Sequence, residues 1–162
     1  MGDRKILVAI APSPQTPLIL AKAAQLAAGR SDSQLLVLYC LNWEDEGEAF
    51  VGLGTLVDVD VTGASLKNRR DRLHHRVEEA EGWLQEICRE LPPEISKQWR
   101  CEVGDPGTQI CQLAGEWQAD LIIIGRRGLQ GLTELLLGSV SNYVVHHAPC
   151  SVLVVHSEIS RD

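Results

Sequence analysis

The chain has 162 residues, 44% hydrophobic and 23% charged, which are the proportions of an ordinary globule long enough for one substantial core. Its net charge of −7 and pI of about 5.2 disfavour nonspecific attachment to nucleic acid or to an anionic membrane, and no local basic patch stands out. Five cysteines without C-x-x-C spacing suggest neither zinc nor a redox dithiol, and with no long apolar run or secretory leader the expectation is a soluble, cytoplasmic protein.

Residues 5–11 form an apolar run that reads as the first strand, ended by Pro12, Ser13 and Pro14. A helix is expected to start near Thr16-Pro17, since proline suits a first turn, and to run through the alanine-rich 18–28 to a cap at Gly29. Leu35–Cys40 is a second apolar strand. Uninterrupted apolar strands that alternate with helices predict a parallel sheet covered on both faces. Residues 42–64 are the least regular stretch, an insert that mixes Glu44, Asp45, Glu46 and Glu48 with glycines and with Phe50, Val51, Leu53, Leu56 and Val57. Connections of that length are usually functional or mobile. A lid, a partner contact and a plain insert all stay open.

Residues 65–91 return to helical spacing, with Leu66, Arg70, Leu73, Val77, Ala80, Leu84, Ile87 and Leu91 on one stripe, and Pro92-Pro93 ends that helix. His74 and His75 are adjacent on it, so they point in different directions and face solvent rather than form a metal pair. Residues 97–103 read as the third strand. Asp105 then supplies an N-cap and Pro106 a first-turn proline for a helix that buries Ile110, Leu113, Ala114 and Trp117. Leu121–Ile124, bounded by Asp120 and Gly125, is a fourth buried strand. Leu132–Leu137 suggests a short helical piece, 140–147 a helix stopped by Pro149, and Val152–Val155 the last strand. The order predicts one α/β domain over 1–162, a five-stranded, doubly wound parallel sheet with right-handed crossovers.

The chemistry concentrates in Gly125-Arg126-Arg127-Gly128, then nine residues, then Gly138-Ser139-Val140-Ser141. These glycine turns lie between the carboxyl end of a strand and the amino end of a helix, where an open α/β sheet holds its ligand. Glycine permits positive φ and close approach of a ligand to the main chain. The N–H groups of Ser139, Val140 and Ser141 lack intrahelical partners and have the helix dipole behind them, so they suit an anion, phosphate above all. The Ser139 and Ser141 hydroxyls are expected to add two donors, and Arg126 and Arg127 positive charge. Neither G-x-x-x-x-G-K-[ST] nor G-x-G-x-x-G is present.

Gly125-x-x-Gly128-(nine)-Gly138-Ser139 resembles the nucleotide-binding motif of the universal stress protein family, in its ATP-binding branch. The resemblance extends to Lys5–Ile10, to Val103-Gly104-Asp105-Pro106, to Ala119–Gly125 and to His147–Val155. It implies a Rossmann-like, adenine nucleotide alpha hydrolase-like sheet of strand order 3-2-1-4-5. It also implies a homodimer through 151–155, with the last strands antiparallel; pairing would protect an apolar edge from aggregation. The implied cofactor is ATP, or AMP or ADP, with the need for Mg2+ open. The implied contacts are Ala9, Ile10, Ala11, Cys40, Ile124, Gly125, Arg127, Gly128, Gly138, Ser139, Val140 and Ser141.

In that branch the first strand usually ends in an aspartate that meets the adenosine, and here the position is Ala11. A hydrogen bond to a charged group is worth roughly 1.5–3 kcal/mol, so the expected affinity is about tenfold to a hundredfold lower. Backbone groups at Ala9, Ile10 and Ala11 are expected to meet the base instead, with Cys40 at the family's apolar adenine contact.

No catalytic residue emerges. Ser139 and Ser141 have no evident base, a G-x-S-x-G elbow is missing, Asp105 is explained as a cap, and His146 and His147 suit a helix carboxyl end. The implied function is nucleotide-dependent stress-response regulation, with phosphates docking at Gly128 and Gly138–Ser141. The insert would then reorder and present a surface to a protein partner. A nucleotide-independent dimeric module, which Ala11 favours, and a slow ATP-hydrolysing enzyme are the other readings.

Overall fold

The computed structural model describes residues 4–29, 31–42, 63–126 and 137–156. Five strands, β1 (Arg4–Ala9), β2 (Ser33–Leu41), β3 (Ser96–Val103), β4 (Leu121–Gly125) and β5 (Ser151–Val155), make one sheet. Their order is β3-β2-β1-β4-β5 and every pairing is parallel. Four helices cover it: α1 (Thr16–Ala28), α2 (Gly63–Glu90), α3 (Pro106–Trp117) and α4 (Ser139–His147).

The unbroken apolar strands follow from having a core on each face. Successive side chains of a strand point to opposite faces. Ile6, Val8, Leu35, Val37 and Ile123 therefore pack under α1 and α2, while Leu7, Leu36, Leu38, Ile122 and Ile124 pack under α3 and α4. Most of these are fully buried, each worth about 1.5–3 kcal/mol relative to exposure. At the amino edge of the sheet, Asp120 explains its place before β4. Its Oδ2 accepts the Lys5 N–H at 2.8 Å and its own N–H donates to the Lys5 carbonyl at 2.8 Å, tying β1 to β4.

Several boundaries differ from expectation. β1 stops at Ala9 rather than residue 11: the Ile10 N–H makes one more bond to Leu38 O at 2.9 Å, and the chain then turns off. Gly29 caps α1 with φ −76° and ψ −4°, so its glycine freedom is unused. The left-handed cap is instead Gln118 after α3, with φ 59°. Residues 43–62 of the insert and 132–136 of the expected short helix lie outside the described residues. Among the described residues no helix is long and apolar enough to cross a membrane.

Candidate functional site

β1 and β4 are neighbours, but the chain leaves them in opposite directions. After β1 it enters α1, whose Ile19, Leu20 and Ala23 pack on one face. Beyond β4 it reaches α4, whose Val144 packs on the other. A crevice therefore opens at the carboxyl ends of these two strands, the point at which such sheets bind ligands.

Ala9 and Ile124 sit level with each other at that crevice, and both are buried toward α3 and α4. Ile10 faces the opposite core, so only its backbone faces the edge. Of the main-chain groups from Ala9 to Ala11 expected to meet the base, the Ile10 N–H is engaged by Leu38, and the Ala11 carbonyl accepts the Thr16 hydroxyl at 2.6 Å. Thr16, read in the sequence only as the start of α1, is buried in its first turn, and this bond is what the sequence reading missed. A threonine ahead of a first-turn proline was the available signal. Cys40, two residues beyond the level of Ala9, is half-buried beside the same core. Burial, then Cys101, Glu102 and Asp105, push its thiol up to about 12, so it presents a neutral, weakly polar wall.

Gly125 is needed for packing. A Cβ there would stand 2.6 Å from Ile19 Cδ1 and 3.2 Å from Gln15 Oε1. Arg126 is half-buried and its N–H donates to Val155 O at 3.0 Å. Arg127 and Gly128 lie outside the described residues.

The amino end of α4 is the candidate element for an anion. Gly138 is its N-cap, with φ −60° and ψ 162° and no side-chain capping bond. That is ordinary extended backbone, so Gly138 does not use a positive φ, contrary to the sequence argument; what its missing side chain provides is access. Ser139 is exposed and Val140 half-buried. Ser141 is 2% exposed and its hydroxyl donates to Gly138 O at 3.1 Å. Its expected role as a hydroxyl donor to a ligand is corrected accordingly: the side chain is spent on holding the first turn, which leaves its N–H for the candidate anion surface.

At the same edge, β3 passes into α3 through Gly104, whose φ of +147° favours glycine and whose N–H donates to Leu41 O at 2.8 Å. Asp105 then caps α3, Oδ2 accepting from the Thr108 hydroxyl at 2.7 Å and N–H at 2.9 Å. Those two bonds hold its carboxyl below the usual range. All five cysteines are free, and burial raises each thiol. His74 and His75 are exposed and pair with Glu78 and Glu79, each at 3.3 Å. Among the described residues no group of three or more His, Cys, Asp or Glu is placed to hold a metal.

Comparison with known proteins supports the same picture. Residues 3–156 match the family model described as the universal stress protein family. Universal stress protein Sll1388 of Synechocystis is 38% identical over 165 residues, covering 96% of this chain and 99% of that protein. The solved structure of hypothetical protein MJ0577 superposes with a TM-score of 0.76 at 23% identity, over 99% of this chain and 100% of the other. A universal stress protein family protein from Arabidopsis thaliana, solved with AMP bound, gives 0.60 at 18% identity over 96% and 93%. The chain belongs to the universal stress protein family.

Proposed function

We propose that this chain binds an adenine nucleotide, ATP or AMP, at the crevice between β1 and β4, and acts as a regulatory protein of the ATP-binding branch. The observation that carries this reading is the amino end of α4. Gly138 has no side chain in the way, no side chain caps the turn, and the N–H groups of Ser139 to Ser141 stand at the positive end of the helix. The AMP bound by the Arabidopsis relative supports the same ligand class here. The base would rest against Cys40 and the ends of β1 and β4. The phosphates would lie at Gly138–Ser141 and at Gly128. Ala11 brings no carboxylate, so the affinity is lower than an aspartate would allow. In this reading the bound nucleotide orders 42–64 as a surface for a protein partner, and the chain works in the cytoplasm as a homodimer through 151–155.

Calorimetric titration with ATP, with and without Mg2+, and then with AMP tests it. Gly138 has a backbone conformation open to any residue, so Gly138→Val should fold normally while filling the phosphate approach. Its expected effect is a loss of affinity of about tenfold or more, equivalent to at least about 1.4 kcal/mol. Unaltered binding in that variant rules out the α4 site. No binding of any nucleotide up to millimolar concentration would instead favour a nucleotide-independent dimeric module, the reading that Ala11 supports.

A further inference from the structure

α2 is longer than the sheet beneath it. Its 28 residues extend about 42 Å, against about 30 Å for the 9 residues of β2. Its carboxyl end leads through Pro92 into β3 at the amino edge of the sheet, so the surplus of about two turns projects past the carboxyl edge. Burial follows this layout. Ala80, Leu84 and Cys88 are buried, Leu73 and Val77 are half-buried, and residues 67–72 are exposed.

The amino-terminal part of α2, in its projecting turns and the turn after them, is basic, which corrects the expectation that no local basic patch stands out. Between residues 67 and 76 stand Lys67, Arg69, Arg70, Arg72 and Arg76 against the single acid Asp71, five positive charges less one, in a chain of net −7. Arg69, Arg72 and Arg76 are three and four apart, which sets them in one row along the helix. Arg76, at the end of the row, lines a pocket of about 210 Å³ at the carboxyl ends of β1 and β2, together with Pro12, Tyr39, Leu41 and Trp83. The Tyr39 and Trp83 rings meet edge to face at 5.5 Å. Glu79, also at this pocket, is 3.3 Å from His75 Nε2. A row of guanidinium groups thus leads from solvent into an apolar, aromatic-walled pocket.

We propose that this surface docks a short acidic peptide of a partner protein, with an apolar side chain in the pocket and carboxylates along Arg69, Arg72 and Arg76. Arginine suits this role because its planar fork matches a carboxylate with two parallel hydrogen bonds. The extent of the patch selects among anions. Duplex nucleic acid carries a charge about every 1.7 Å and would run beyond ten residues of helix onto an acidic surface. A peptide with a few carboxylates ends where the patch ends, and the pocket gives it an anchor that a phosphate polymer would not use.

The test uses the full chain without nucleotide, so its outcome is separate from that of the α4 site. A fluorescein-labelled peptide Glu-Glu-Leu-Glu-Glu-Leu-Glu-Glu is titrated with protein and followed by polarisation. The expected result is saturable binding that weakens with salt, falls about tenfold or more in Arg69→Glu/Arg72→Glu/Arg76→Glu, and falls several-fold when both leucines are glycine. Circular dichroism checks that the triple variant folds. Arg69→Gln/Arg72→Gln, which leaves half-buried Arg76 in place, is the second variant, with an expected loss of about threefold or more. No saturable binding, equal binding by folded variants, indifference to the leucines, or tighter binding of a uridine oligonucleotide of matching charge would overturn the proposal.

Discussion

Asp105 shows how a single residue can look functional and be structural. It lies at the sheet edge that carries the candidate site, yet both hydrogen bonds of its carboxylate go to Thr108 in the first turn of α3. Asp105→Ala should cost about 1 kcal/mol, the usual worth of an N-cap. The two bonds lower the folded-state pKa, so this stability is complete above the unfolded carboxyl pKa and disappears as pH falls through the folded one. In urea melts the gap between wild type and Asp105→Ala should therefore be widest near neutrality and close in acid. A gap that does not change with pH would remove the charged cap from the explanation. Residue identity was enough to read Asp105 as a cap. It was not enough for Gly138, where φ is −60°, or for Ser141, whose hydroxyl turns back to Gly138; backbone angle and hydrogen-bond partner are set by the turn as a whole.

Among the elements, the packing of α3 on α4 fixes the orientation of the amino end of α4. Gly107 lies against the Tyr143 ring, where an added Cβ would come within 2.7 Å of Cδ1. Tyr143 is held in turn by stacking on His147, with centroids 4.0 Å apart, and His147 Nδ1 lies 2.8 Å from the Tyr143 carbonyl oxygen. Gly107→Ala should therefore destabilise by about 1–3 kcal/mol through overpacking. Combining it with Tyr143→Ala should recover most of that loss, a coupling that a double-mutant cycle reads directly. Additive effects would show that the ring is not what glycine accommodates. Sequence alone placed Pro106 in the first turn but gave no hint that Gly107 beside it meets Tyr143, which is 36 residues further along the chain.

At the scale of the whole molecule, β5 is an outer strand with Val152, Leu153 and Val154 half-buried. The proposed homodimer would cover this edge. Leu153→Lys places a charge there, as natural edge strands do to prevent pairing. It should convert a dimer into a monomer in sedimentation velocity while circular dichroism is preserved. A wild type that sediments as a monomer would overturn the homodimer, and a variant that stays dimeric would place the interface elsewhere.

The apolar strands, their alternation with helices and the proline and aspartate punctuation together determined the doubly wound parallel sheet and its crevice. These signals are local, and a sheet buried on both faces leaves little choice of pattern. The glycine motif likewise marked the amino end of α4 in advance. Tertiary structure decided what depends on distant partners: that Thr16 occupies the Ala11 carbonyl, that Gly125 makes room for Ile19, and that α2 outruns its sheet. The last is the clearest case. The bases of residues 67–76 did not stand out as a patch in an acidic chain; the length of β2 and the position of β3 show that they stand clear of the core beside an aromatic pocket. Charge can be counted along a chain, whereas exposure depends on what the fold places next to it.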